Sequence, residues 1–221
     1  YAVYFAPRPG AFADRASAWL GRDAETGRVV SQPDLPGMSL PAADLTADPR
    51  RYGFHGTLRA PFRPRPDVGE DEVAEVVGML ACRLAPVRLC GLGLENLHGF
   101  VALTPEGPTD ALLALGEAVV TGTEGLRATL TPEETARRRP ESLTARQRDL
   151  LETWGYPYVM EEFRFHLTLT DRLPATMAPA VIAALEAYFA PVLPRPFDIE
   201  DLCLFGETED GTFLLLHRYA L

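Results

Sequence analysis

Lysine is missing altogether, since all 21 basic residues of this 221-residue chain are arginine. So complete a replacement reads as genomic codon bias and not as a functional device. Cysteine is scarce. Cys82, Cys90 and Cys203 are odd in number and too scattered for a disulfide framework or a thiolate metal site, so they read as core thiols in a reducing cytoplasm. No apolar run reaches the roughly 20 residues of a membrane-spanning helix, because Glu117 and Glu186 interrupt the two most apolar helical segments. No membrane association is expected. The chain opens on the strand-like Tyr1–Phe5 with neither a basic n-region nor an apolar h-region, so no signal peptide is visible, and an initiating Met is absent. An excess of positive charge is lacking too. A net charge of −10 excludes tight nonspecific attachment to a nucleic-acid backbone, which depends on neutralising phosphates. Any phosphate recognition must be local, and no long nucleic acid is expected as a partner.

What is present is an apolar fraction of 47%, enough for a sizeable core, and an internal repeat. From Phe54 the order is a short strand FHGTL, then a helix with Val73, Val76, Val77, Leu80 and Leu84 on one face. Strands near 87–94 and 98–104 follow, with a hairpin around Glu95 to His98. From Phe165 the order recurs as FHLTL and a helix with Val181, Ile182, Leu185 and Phe189. Strands near 197–205 and 212–219 are closed by the Glu209-Asp210-Gly211 turn. Ahead of each motif, Ala2 to Ala6, Pro7 and a helix to Leu20 parallel Phe100 to Thr104, Pro105 and a helix to Val120. Each half therefore reads β-α-β-α-β-β, with one shared strand at the join. The fold class is α+β, a bilobal pseudo-symmetric duplication. The whole chain, 1–221, forms one domain, with a first lobe of about 1–99, a second of about 100–221, and strands free to exchange between them. Residues 22–52 and 121–162 read as insertions over the sheet. The second holds a helix through Leu143, Gln147, Leu150, Leu151 and Trp154, a lid or a brace. The arginine run 137–139 within it reads as solvated surface.

In a strand, alternate side chains share a face. His55, Thr57 and Arg59 therefore point one way and Phe54, Gly56 and Leu58 the other. Likewise Arg164, His166, Thr168 and Thr170 oppose Phe163, Phe165, Leu167 and Leu169. One His-x-Thr carries little information, because a lone strand histidine is commonly structural. Two in matching repeat contexts point to a shared site. Cleaving a phosphodiester needs a base for the nucleophile and an acid for the leaving oxygen, and imidazole titrates near working pH. The threonine hydroxyls beside each imidazole can bond the nonbridging phosphate oxygens. Strand parity makes Arg59 the first candidate for phosphate, with Arg51 behind it. Tyr52 and Tyr158 are candidates for stacking on a base or sugar, and Arg164 for substrate contact. His98 and His217 lack the x-Thr neighbour and stay outside the site. Four separated histidines without an HxH, HxxxH or HD pattern offer no compact ligand set, so neither metal nor other cofactor is expected.

The paired FHGTL and FHLTL strands in a bilobal chain resemble the 2H phosphoesterase superfamily over essentially its whole length. WGYPYVMEEFRFHLTLT and RYGFHGTLRAPF are similar to a bacterial branch often encoded near phosphonate-utilisation genes. The resemblance implies two antiparallel sheets, helices outside, facing each other across a central cleft. It also implies His55 and His166 as acid and base and Thr57 and Thr168 on phosphate, independent of metal. The implied activity is hydrolysis of a small cyclic ribose or nucleotide phosphodiester in the cytoplasm. The alternatives are a noncatalytic nucleotide- or phosphosugar-binding module, and RNA 2′,5′-end processing or ligation. The insertions exceed those of minimal members, which leaves substrate size and access open. The sequence is compatible with a monomer but does not fix the oligomeric state, nor which histidine is acid and which is base.

Overall fold

A computed structural model describes residues 1–221. In chain order the elements are β1 (Ala2–Phe5), α1 (Ala11–Leu20), α2 (Ala42–Leu45), α3 (Ala47–Tyr52), β2 (Gly56–Arg59), α4 (Glu70–Ala81), β3 (Val87–Leu89), β4 (Gly91–Leu97), β5 (Phe100–Glu106) and α5 (Asp110–Thr123). They continue as α6 (Pro132–Arg137), α7 (Ala145–Trp154), β6 (Leu167–Thr168), α8 (Ala178–Phe189), β7 (Phe197–Ile199), β8 (Asp201–Glu207) and β9 (Phe213–Ala220). Sequence periodicity accounts for the long helices. In α4 the buried Val73, Val77 and Ala81 fall four apart, and Glu70, Asp71 and Glu72 crowd its first turn, where the helix dipole favours negative charge. The helix expected in the second insertion is α7, opened by a capping box between Thr144 and Gln147. It braces rather than covers: Leu150 packs with Val120 of α5 and with Val159.

Seven strands form one sheet in the order β4-β5-β6-β2-β1-β8-β9, and every neighbouring pair is antiparallel. A second, small sheet pairs β3 with β7. Two sheets facing each other across a cleft are therefore not what the chain builds. Strands from both halves of the chain hydrogen-bond into a single sheet, in which the short motif strands β2 and β6 pair with each other at Gly56 and Leu167.

Side-chain alternation gives that sheet two different faces. One carries Val3, Phe5, Leu58, Leu103, Leu167 and Leu204 into the main core. There they meet Trp19 of α1, Val77 of α4, Val119 of α5 and Leu185 of α8. Each such side chain contributes roughly 1.5–3 kcal/mol when fully buried. The opposite face carries a smaller cluster of Tyr4, Cys203, Phe205 and Phe213, with Tyr52 against it. Of the three cysteines only Cys203 is a core thiol, and burial pushes its pKa up to about 11. Cys82 and Cys90 are exposed, at the end of α4 and between β3 and β4. No helix is long and apolar enough to cross a membrane.

Candidate active site

The β2–β6 pair organises the site. Gly56 faces Leu167, and continuing the antiparallel register one residue either way sets Thr57 opposite His166 and Thr168 opposite His55. Each imidazole thus stands across from the threonine of the other motif. The two histidines are diagonal neighbours, at about 7–8 Å by ordinary sheet spacing. Glycine at position 56 follows from packing. A Cβ there would sit 2.2 Å from Phe165 Cζ, so the aromatic residue that opens the second motif lies directly on the first.

Both imidazoles are oriented in the same way. His55 Nδ1 lies 2.8 Å from the Gly53 carbonyl and His166 Nδ1 lies 2.7 Å from the Arg164 carbonyl, each two residues upstream. A carbonyl only accepts, so Nδ1 carries the proton in both rings, and Nε2 keeps the lone pair that a general base needs. Gly53 adopts φ 73°, and a Cβ there would meet that of Ala24 at 2.3 Å, so glycine is required where α3 turns into the motif. Burial drives the His55 pKa down to about 4, against the Gly53 carbonyl, which raises it; nearby His166 lowers it further. Burial also lowers His166, opposed by the Arg164 carbonyl. Tyr4 stacks on His55 with ring centres 3.9 Å apart, and Tyr52 sits 5.8 Å away on another side. Phe100 lies 5.5 Å from His166.

His55, Thr57, Thr168 and Thr170 open onto a cavity of about 600 Å³ walled also by Tyr4, Arg51, Tyr52, Phe100, Tyr156 and Phe213. Arg51 is held there: its Nε donates to the Gly211 carbonyl at 3.1 Å, Glu207 lies 3.5 Å from Nη2, and its guanidinium rests 5.3 Å from the Tyr52 ring. Asp171, just past the second motif, accepts hydrogen bonds from the amides of Ala47 and Asp48 at 2.9 and 2.8 Å. It thereby fixes α3, the helix that presents Arg51 and Tyr52 to His55.

Three expected contacts lie elsewhere. Arg59 is not on the site face. Val3 pairs with Arg59 and Tyr4 with Thr57, so Leu58 is an extra residue, a bulge that reverses the parity of the strand beyond it. Arg59 therefore turns into the protein, 1% exposed, with Nη2 donating to Glu124 at 2.7 Å and its guanidinium 5.4 Å from the Phe62 ring. Its Nε and Nη1 have no partner. Arg164 is exposed and folds back onto the carbonyls of Glu161 and Phe163, beside a different cavity of about 430 Å³. Tyr158 is exposed outside the main cavity, and its neighbour Tyr156, edge-on to it at 5.6 Å, is the one that enters. Tyr4 and Asp171 were not singled out from sequence, and Arg137 and Arg138, read there as solvated surface, instead wall the cavity. His98 takes φ 54° in the β4–β5 turn and His217 is on β9, both outside the main cavity. No three His, Cys, Asp or Glu side chains converge as metal ligands.

A model of the family described as a protein of unknown function, DUF1045, matches residues 57–214. Two curated relatives carry the name ribose 1,5-bisphosphate phosphokinase PhnN. One, from Janthinobacterium sp. (strain Marseille), is 38% identical over 217 residues, 96% of this chain and 48% of the relative. The other, from Laribacter hongkongensis (strain HLHK9), is 39% identical over 219 residues, 99% of this chain and 50% of the relative. The chain spans about half the length of both.

Proposed function

The chain belongs to the DUF1045 family of proteins of unknown function, and we propose that it is a two-histidine phosphodiesterase that opens a small cyclic phosphodiester of ribose. The observation that carries this reading is the cross-strand placement of each histidine against the threonine of the other motif, with both Nε2 atoms free of the backbone. A diester phosphate between the strands has an imidazole toward each apical oxygen and a hydroxyl toward each nonbridging one. One Nε2 takes a proton from water as the water oxygen bonds to phosphorus. The other, entering as imidazolium, gives its proton to the sugar oxygen as the P–O bond to that oxygen breaks. The product is a phosphate monoester with a freed sugar hydroxyl, and solvent exchange resets the two rings. A bound phosphate anion favours the charged form of whichever imidazole acts as acid. The site is near-symmetric, so substrate orientation decides the roles.

The sugar is suggested by the relatives' name. Opening a 1,2-cyclic phosphate of ribose 5-phosphate at the O2 bond leaves ribose 1,5-bisphosphate, the compound on which proteins of that name act. Phosphokinase chemistry itself fits this chain poorly. A phosphate-binding P-loop needs a lysine, and the chain has none. We therefore assign the kinase name to the half of the relatives that lies outside the match, and to these residues the hydrolytic step that supplies its substrate, in phosphonate degradation. A duplicated origin for residues 1–99 and 100–221 fits the strand order. Outward from β2 and β6 the neighbours run β1 then β8 on one side and β5 then β4 on the other, with β8 exchanged into the first half.

The test is turnover of 1,2-cyclic ribose phosphate esters and 2′,3′-cyclic nucleotides, in chelator, by wild type, His55→Ala and His166→Ala. Hydrolysis lost in both variants supports the reading. Activity that survives both substitutions, or that chelator removes and added metal restores, sinks it.

A further inference from the structure

Most arginines of this acidic protein are spoken for, by a carboxylate or a backbone carbonyl. Arg8 is on Asp201, Arg63 on Glu134, Arg127 on Glu124 and Arg218 on Asp201. Arg50, Arg148 and Arg172 donate to carbonyls. Arg137 and Arg138 form neither kind of contact, although the chain has 31 acidic residues. They stand at the end of α6, where they wall both the catalytic cavity and a second one of about 610 Å³, so the two spaces adjoin at these residues. The second cavity is bordered by Tyr1, Arg63 and Thr208, and shares Pro61 and Glu207 with the first.

Arg138 has a phenol directly against it. Its guanidinium lies 4.9 Å over the Tyr156 ring, which fixes its plane. Tyr4, Tyr52 and Tyr156 wall the catalytic cavity together with Arg138. At neutral pH phenols and guanidiniums offer O–H and N–H groups suited to the oxygens of a phosphate monoester. Carboxylates near the junction are already engaged: Glu207 with Arg51, Asp171 with the α3 amides, Glu134 with Arg63 and the Thr131 amide, and Glu70 with the Tyr1 hydroxyl. Asp48 remains on the far wall of the catalytic cavity. Tyr4 joins the two places, because its ring is stacked on His55 and it walls the same cavity as Arg137 and Arg138.

We infer that Arg137 and Arg138, with the hydroxyls of Tyr4 and Tyr156, form a second anion subsite for a phosphate monoester on the substrate, about one tyrosine ring away from the diester held at the histidines. This deepens the phosphodiesterase reading and rests on it for the identity of the diester. It selects sugars that carry two phosphates, one cyclic and one terminal, over the same cyclic esters with a free hydroxyl. Charge-assisted hydrogen bonds of this kind set a preference between about ten- and a thousandfold in kcat/KM.

The experiment compares cyclic ribose phosphodiesters with and without a 5-phosphate, in wild type and in Arg137→Gln/Arg138→Gln. A wild-type preference that falls at least tenfold in the variant supports the subsite, and partial recovery in Arg137→Lys/Arg138→Lys shows that charge is responsible. Equal use of both esters by wild type, or a preference unchanged in the variant, overturns it. Calorimetry with ribose 5-phosphate separates the two readings, because it needs no turnover. If no ester is hydrolysed yet binding weakens at least tenfold in Arg137→Gln/Arg138→Gln and less in His55→Ala, the diesterase reading fails and the subsite stands. If binding depends on His55 alone, or is absent, the subsite falls.

Discussion

Gly56→Ala adds one methyl group at the point where the two motifs cross. The new Cβ would stand 2.2 Å from Phe165 Cζ and 2.5 Å from Cε2, against an optimum of roughly 3.5–4.0 Å between carbons. The ring must therefore retreat by roughly 1.3 Å or more. Phe165 has little room to do so, being 5% exposed in the main core and edge-on to Phe5 at 6.3 Å. Overpacking of this kind costs about 1–3 kcal/mol, and a clash this deep belongs at the upper end. Gly56 has no positive φ, so alanine fits its backbone and returns about 0.4–1 kcal/mol by restricting the unfolded chain. The net loss is about 1–2.5 kcal/mol, a fall in Tm of roughly 2–10 °C for a protein of this size. Urea titration and thermal melting measure it directly. Adding Phe165→Leu should open the space, so a double-mutant cycle returns a coupling of about 0.5–3 kcal/mol in the rescuing direction. A single variant that melts at or above the wild-type temperature, or a cycle without coupling, would refute the pairing of the two motifs.

Glu124→Gln strips the buried Arg59 guanidinium of its carboxylate. It should cost near the lower end of about 3–5 kcal/mol, since Glu124 itself reaches solvent, whereas Arg59→Met should cost less. Arg59→Met should also leave KM for the diester within about twofold, a result that a phosphate-binding Arg59 would contradict. The imidazoles set a pH dependence. His55 has a folded pKa of about 4 against about 6.5 unfolded, so below about pH 6.5 the unfolded chain binds more protons. Its contribution to stability is full above that pH and is lost as pH falls toward 4. Denaturant titrations of wild type and His55→Gln between these pH values should converge toward the acid end, and parallel curves would contradict the burial of this ring. Because both histidines are lowered, the bell-shaped kcat/KM profile should centre below pH 6.5, and an alkaline optimum would count against their pairing as acid and base. Asp171→Ala removes two amide acceptors from α3. It should cost roughly 0.5–2 kcal/mol and raise KM more than it lowers kcat, which steady-state kinetics would check.

Much of the site was legible because strand alternation is a local property. His55, Thr57 and Thr168 do line one cavity, with Phe54, Leu58, Phe165 and Leu167 in the core, whereas His166 is not among that cavity's walls. Arg59 broke the pattern because a bulge is decided by the partner strand, β1, and leaves no mark in FHGTLR itself. The merging of both repeats into one sheet was hidden for a related reason. It depends on long-range pairings, of β1 with β8 and of Gly56 with Leu167, the latter between strands of four and two residues. Arg137 and Arg138 looked like any solvated run. Only the fold of the second insertion carries them to the cavity, and no periodicity distinguishes Tyr156 from Tyr158. The one retrievable signal was Gly56 itself, a glycine inside a strand marking a close approach.

The order in which the strands lie has a kinetic consequence. β1 joins β8, and β2 joins β6, across more than half of the chain, so the centre of the sheet is built from contacts of very high sequence separation. Such topologies fold slowly, because loop closure must precede the contacts that reward it. During synthesis the first motif can pair with β1 on one side, but its other edge stays unpaired until β6 is available. The two histidines are therefore brought together late, and fragments ending before β6 should leave one edge of β2 exposed and sticky.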